Sequence, residues 1–226
     1  PERPSTAPYA AVVQIQGEIG PGKEASAQKL NPLLERAFED KNAAAVILLI
    51  NSPGGTPVQS HLVNQRIVEL KAKHGKKVYA IGEDLMTSGA YMIAAAADHI
   101  IVDSNTIAGS VGVISRGFGF TGLMDKLGVE RRVMTAGESK NLLDPFGPET
   151  DEGRRKQAEL LKSIHDNFIS TVKAGRGDRL KLDTPGLFSG TVWVGTAAVD
   201  AGLADEIGSL ASVKDKLGVK ELRFYS

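Results

Sequence analysis

Three short stretches of this 226-residue chain carry residue types that could do chemistry. Asn51-Ser52-Pro53-Gly54-Gly55 ends an apolar run from Ala44 to Ile50. Thr87-Ser88-Gly89-Ala90-Tyr91 follows a second strand-like segment and opens a run of small residues to Ala97. Gly137-Glu138-Ser139-Lys140-Asn141 lies in a polar loop. A glycine turn at the carboxyl end of a buried strand, where open α/β sheets place their ligands, presents backbone N–H groups to an anion with no Cβ in the way. A serine at a helix N-terminus with glycine behind it can be an exposed nucleophile, and the amide after it can stabilise an oxyanion. Taken singly, the first stretch reads equally as a tight turn, while the second reads more simply as an N-cap and the third as a surface cation. Neither G-x-S-x-G nor a glycine-rich phosphate motif is present, which disfavours an α/β-hydrolase elbow and a nucleotide site.

A serine hydroxyl needs a base. His61 and His74 lie in one helical segment, His99 abuts a strand and His165 sits in a long helix, so no histidine neighbours a glycine loop and no Ser-His-Asp triad suggests itself. A Ser-Lys pair is left. A lysine amine of ordinary pKa, ~10.4, is almost wholly protonated at pH 7; to be half neutral there its pKa must fall by about 3.4, or ~4.6 kcal/mol, which desolvation can supply. A lysine base must therefore be dry and free of carboxylates, so the side chains of Glu138 and Asp144 have to point away from Lys140.

The elements that would position these residues alternate. Tyr9–Gly17 reads as a strand and Ala25–Glu39 as a helix with Leu30, Leu33, Leu34 and Phe38 on one face. Ala44–Ile50 is a strand, and Val58–His74 a helix with Leu62, Ile67 and Leu70 inward. Lys77–Gly82 is a strand, Ser88–Ala97 a small-residue helix and His99–Asp103 a strand. Val111–Ile114, Leu123–Leu127 and Val129–Thr135 continue as strand, helix and strand. A loop, Gly137–Pro148, leads to a long helix that Thr150 caps and that runs to about Lys173, with Asp151 and Glu152 favourable in its first turn. Ala197–Ala201 and Leu210–Leu217 are short helices, and Leu222–Tyr225 is the last strand. The pattern is an α/β fold. With no internal repeat or linker, residues 9–226 are read as one catalytic domain and residues 1–8, proline-rich and polar, as a linker or chain edge.

Composition narrows the class. Hydrophobic residues make up 42% and charged residues 24%, which excludes disordered, collagenous and coiled-coil chains. Lysine plus arginine equals aspartate plus glutamate at 27 each, so no net field recruits nucleic acid or an anionic membrane. There is no cysteine, hence no disulfide, thiolate metal site or cysteine nucleophile. The longest apolar runs fall far below the ~18–20 residues that span a bilayer.

Taken in order, the motifs resemble the signal peptide peptidase A (SppA) family of serine peptidases, which has the Clp protease/crotonase fold, a superhelix of β-β-α units. They are Asn51 to Gly55, Ser88-Gly89-Ala90-Tyr91, Gly109-Ser110-Val111-Gly112-Val113, Lys140, and Gly190-Thr191-Val192-Trp193-Val194-Gly195 with Gly202-Leu203-Ala204-Asp205. The likeness covers roughly residues 9–210. Ala90 and Ala204 depart from it only slightly, standing where the family commonly has Gly and Val. The resemblance implies Ser88 as nucleophile, Lys140 as general base, the Ser110 hydroxyl holding the lysine amine, and the N–H groups of Gly55 and Gly89 as the oxyanion hole, with no metal or cofactor. It further implies peptide substrates such as signal-peptide remnants, and a homo-octamer in which neighbouring subunits share active sites. Nucleic acid is not an implied partner. The family's place is the bacterial cell membrane, with the catalytic domain extracytoplasmic and an N-terminal anchor that this chain lacks. Two other readings stand against it: a crotonase-type acyl-CoA hydratase or isomerase using the same backbone oxyanion hole, and a non-catalytic scaffold in which Ser88 is only a cap.

Overall fold

The computed structural model describes residues 8–226, so the linker reading of residues 1–8 falls almost wholly outside it. Two compact units emerge: one runs up to Gly112 and resumes over Phe168–Ser226, and the other is Val113–Asn167.

The first unit is built on a mostly parallel sheet in the order β6-β5-β3-β2-β1-β8. Its strands are β1 (Tyr9–Gln16), β2 (Ala43–Ser52), β3 (Val78–Thr87), β4 (His99–Val102), β5 (Ile107–Gly109), β6 (Val192–Val194), β7 (Glu206–Ile207) and β8 (Glu221–Tyr225). The near-continuous apolar run of β2 reflects burial on both faces, as parallel strands require. β3 has two sets of neighbours, because its first half pairs with β4 and its second half with β5. The change happens at a bulge: against β2 the register runs Ile50 to Gly82 and then Ser52 to Met86, four residues of β3 for two of β2. Asn51 stabilises the irregularity by accepting the Leu85 N–H on its Oδ1 at 3.1 Å.

Helices α1 (Ala27–Glu39), α2 (Pro57–His74) and α3 (Gly89–Ala94) cover the sheet. α1 buries Leu30, Leu34 and Phe38 as its periodicity predicts. On α2 the inward face is Ser60, Val63, Asn64, Ile67 and Leu70, and Leu62 is 46% exposed. The expectation of Leu62 inside fails because the stripe follows the 3.6-residue period through 60, 63, 67 and 70, which leaves position 62 about 100° off it. α3 is buried along its whole length, held by Asn64 Nδ2 donating to the Met92 carbonyl at 2.7 Å and by Tyr91 Oη donating to the Leu203 carbonyl at 2.7 Å. The alanines after it let another backbone approach closely: a Cβ on Gly175 would sit 1.9 Å from the Ala95 oxygen.

α5 (Asp151–Arg176) starts in the second unit, where Thr150 Oγ1 accepts the Gly153 N–H at 3.0 Å as the expected cap, and its residues from Phe168 belong to the first. α6 (Gly195–Asp200) and α7 (Leu210–Leu217) complete the first unit, and α4 (Thr121–Leu127) lies in the second. Two expected strands do not form. At Val111–Ile114 the chain has already left β5 through Ser110 at φ 54°. Val129–Thr135 has the right residue types but pairs with nothing among the described residues, and Val129, Val133 and Met134 are 53%, 45% and 99% exposed. Strand propensity signals a face to bury but supplies no hydrogen-bond partner. Among the described residues no helix is long and apolar enough to cross a membrane.

The turn Gly202-Leu203-Ala204-Asp205 has a structural task. The Arg176 guanidinium, 1% exposed, donates twice to the Gly202 carbonyl (2.7 and 3.1 Å) and forms a two-point pair with Asp205 (2.8 and 3.0 Å). Asp205 also accepts the Ile100 N–H at 2.7 Å, tying β4 to the end of α5. Burial alone would raise the Asp205 carboxyl, but the hydrogen bonds from Arg176 and the Ile100 amide, with the charges of Arg176 and Arg179, hold it below the usual carboxylate range. Its contribution to stability is therefore complete above an ordinary unfolded-chain pKa of ~3.9 and is lost as pH falls through the depressed folded value. Asp205→Asn should cost about 3–5 kcal/mol at pH 7 in urea unfolding, because it strands a buried guanidinium. The variant's stability should also fall less steeply than the wild type's below about pH 4.

Candidate active site

The site grows from two serines in an unusual backbone state. Among the described residues, Ser88 and Ser110, both at φ 54°, are the two non-glycine residues in the left-handed region. With ψ −124°, Ser88 lies outside even the ordinary left-handed well. Such conformations cost on the order of 1–3 kcal/mol and persist only where the surroundings over-determine them.

Here the surroundings are identifiable. β3 delivers Ser88 to the start of α3, and the Ser88 N–H donates to the Gly109 carbonyl of β5 at 2.8 Å. The carbonyl of Ser88 accepts the Met92 N–H at 3.1 Å, so the residue is fixed from both sides. The turn after β2 closes from above. Ser52 Oγ accepts the Gly54 N–H at 3.1 Å, Ile19 N–H donates to the Gly54 carbonyl at 2.9 Å, and Thr56 N–H donates to the Ile19 carbonyl at 3.0 Å. Gly54, at φ 91°, lies so close to the Ser88 turn that a Cβ on it would stand 2.7 Å from Gly89 N and 2.8 Å from Ser88 Cβ.

The structure thus brings Ser88, Gly89 and Gly55 together. Gly55 sits between the two residues that bond to Ile19, so its own N–H is left out of that bridge. The N–H of Gly89, first residue of α3, has no intrahelical acceptor. A Cβ placed on Gly89 would lie 3.4 Å from Gly55 N, which measures how near the two amides stand. Ser110 adjoins them through β5, because Thr87 pairs with Gly109 and Ser110 is the next residue. Ser88 and Ser110 are both half-buried.

Lys140 belongs to the second unit, in an exposed turn where its N–H donates to the Gly137 carbonyl at 3.2 Å. Of the two acidic neighbours in sequence, Glu138 and Asp144, the second is engaged elsewhere: Asp144 pairs with Arg131 Nε at 3.1 Å and accepts the Phe146 N–H at 3.0 Å. Several supporting residues escape a reading of residue types alone. Asn51, Ser52 and Gly54 act through backbone contacts, and the Pro-Gly-Gly turn was their one signal. Ser60, whose Oγ would stand 2.1 Å from a Cβ on Gly89, gave none.

The mostly parallel sheet with helices packed on it has the Clp protease/crotonase-like architecture. An asparagine-to-aspartate mutant of ClpP1 from Listeria monocytogenes shares the fold with TM-score 0.56 at 18% identity, over 91% of this chain and 94% of that one. A lysine-to-alanine mutant of the 1510-N membrane-bound stomatin-specific protease, in complex with a substrate peptide, does so with TM-score 0.55 at 14% identity, over 97% and 93%. Residues 70–221 match the model of peptidase family S49, and the chain belongs to that family. A protein of Enterococcus faecium named putative signal peptide peptidase SppA is 32% identical over 187 residues, 81% of this chain and 53% of that protein. A protein of Brucella melitensis biotype 1 named Na(+)/H(+) antiporter NhaA is 48% identical over 206 residues, 89% of this chain and 28% of that protein. The chain thus spans between about a quarter and a half of the length of these two relatives, and the antiporter name describes a protein of which the matching segment is the smaller part.

Gly54→Ala should cost roughly 2–5 kcal/mol by chemical unfolding, from the left-handed backbone together with the collision at Gly89. Gly75→Ala, with φ 62° but nothing within 4 Å of a new Cβ, is the matched control and should cost only about 1–2 kcal/mol.

Proposed function

We propose that this chain is a serine endopeptidase whose Ser88 and Lys140 act as a dyad. The observation that carries the reading is the left-handed Ser88, held against two glycine turns whose amides are close together. Ser88 Oγ attacks the scissile carbonyl carbon while the neutral Lys140 amine takes its proton, and the Ser110 hydroxyl orients that amine. The tetrahedral oxyanion is bound by the Gly55 and Gly89 N–H groups, donors worth about 2.7–4 kcal/mol each in known oxyanion holes. Collapse expels the peptide amine with the proton from Lys140, and a water deprotonated by the same lysine then hydrolyses the acyl-enzyme. Family membership and the engagement of Asp144 away from the lysine support the assignment. The crotonase-type alternative is not favoured, since it gives the strained serine nothing to do and the chain matches a peptidase family.

The substrates in this reading are signal-peptide remnants and other unfolded segments, at the extracytoplasmic face of a bacterial membrane. Lys140 becomes dry by assembly, with a neighbouring copy covering it, in a ring such as an octamer that shares its sites between subunits. The second unit supports self-association: Ile114, Phe118, Leu127 and Met134 are 68%, 82%, 68% and 99% exposed, apolar surface that a lone soluble chain seldom leaves in water.

Ser88→Ala and Lys140→Ala should each abolish casein cleavage with the fold intact by circular dichroism. Mixing the two inactive proteins under subunit exchange should restore part of the activity, and absence of any rescue counts against sites shared between copies. The wild-type pH–rate profile should rise through neutrality, whereas a flat profile from about pH 5 to 9 contradicts a lysine base.

A further inference from the structure

Gly109, a residue with the widest backbone freedom, is held in the one orientation that lets its carbonyl receive the Ser88 N–H. The constraint comes from the strand that pairs with β5. β6 runs antiparallel to it, with Ala108 opposite Trp193 and Gly109 opposite Val192. The Trp193 indole lies on the α-carbon of Gly109: a Cβ there would stand 2.6 Å from Trp193 Cδ1 and 3.3 Å from Nε1. Just before it, the Thr191 carbonyl accepts the Ser110 N–H at 2.9 Å, and Gly190 touches Gly112 so closely that a Cβ on the latter would stand 2.9 Å from the Gly190 α-carbon. The segment 190–193 therefore clasps 109–112 along its length. Trp193 Nε1 is buried and has no hydrogen-bond partner, although a buried indole N–H usually finds one. The indole is seated for its contact with Gly109 at the expense of that bond.

We infer that Trp193 is a positioning residue for the nucleophile, acting through Gly109; the inference rests on Ser88 being that nucleophile. Gly109 at φ 92° carries the carbonyl that receives the Ser88 N–H. Removing the indole frees this peptide to rotate, the 2.8 Å bond is lost, and Ser88 relaxes out of its left-handed state. The defect falls on the chemical step and leaves substrate binding alone.

Trp193 is also the chain's single tryptophan, so its emission reports this one contact. A peptide boronate that bonds to Ser88 Oγ should change the Trp193 emission of the wild type and leave that of Ser88→Ala unchanged. Trp193→Ala should lower kcat at least tenfold on a peptide substrate with KM within about threefold, and Trp193→Phe, which keeps an aromatic face on Gly109, should recover kcat to within about threefold. If Trp193→Ala does not fold, the boronate response and the Phe variant decide alone. Inhibition by the boronate with no change in emission overturns the inference. So does a raised KM at unchanged kcat, which would make Trp193 a substrate contact. Cleavage that survives Ser88→Ala is a different result: it removes the nucleophile assignment itself, and this inference with it.

Discussion

The interaction on which the site depends is the hydrogen bond from the Ser88 N–H to the Gly109 carbonyl, made while both residues hold positive φ. A serine at φ 54°, ψ −124° relaxes unless its neighbours forbid it. Each neighbour that forbids it is a glycine turn or a strand end whose own position is set elsewhere. Gly54 blocks the space above Ser88, Gly109 anchors its amide, and the bulge in β3 lets one strand serve two neighbours so that β5 lies beside the Ser88 turn. Side-chain identity at Ser88 and Ser110 supplies the hydroxyls, and backbone geometry decides where they are.

The same logic extends outward to the scaffold. Helix α3, which follows Ser88, has no solvent face, so it must be carried by its surroundings. Asn64 and Tyr91 pin it through buried hydrogen bonds, and Arg176 with Asp205 locks the end of α5 to β4 and to the Gly202 turn. A two-point guanidinium–carboxylate pair, with the Ile100 amide also donating to the carboxylate, offsets the desolvation that burying an isolated charge would impose. The Gly-Leu-Ala-Asp motif, which carried part of the family likeness, belongs to this scaffold and not to the chemistry.

Much of this was legible in the sequence, and the limits have physical causes. β1 and β2 announce themselves by buried apolar runs, α1 by an apolar stripe, and α5 by its capping Thr150 and acidic first turn. β5, β6 and β7 are two or three residues long, too short for any period to show, although β5 and β6 hold the serines in place. Val129–Thr135 reads as a strand and is none, since composition cannot show whether a partner strand exists. Ser88 and Gly89 could be singled out only with the other motifs in order, since alone a serine at a strand-to-helix junction reads as an N-cap. Trp193 could not, because its effect passes through the missing side chain of Gly109. Leu62 shows the converse error, an apolar residue assigned to the core by type when the helix period turns it outward.

The proposed nucleophile and oxyanion donors belong to the first unit, and the proposed base, Lys140, belongs to the second. The central claim is that Ser88 Oγ is the atom that bonds to substrate. Treating the active protein with a serine-reactive phosphonate and mapping the adduct by peptide mass spectrometry tests it directly. The account predicts one adduct, on the peptide that contains Ser88, with loss of peptidase activity in proportion to its formation. An adduct confined to another serine, or complete inactivation with Ser88 unmodified, would contradict it.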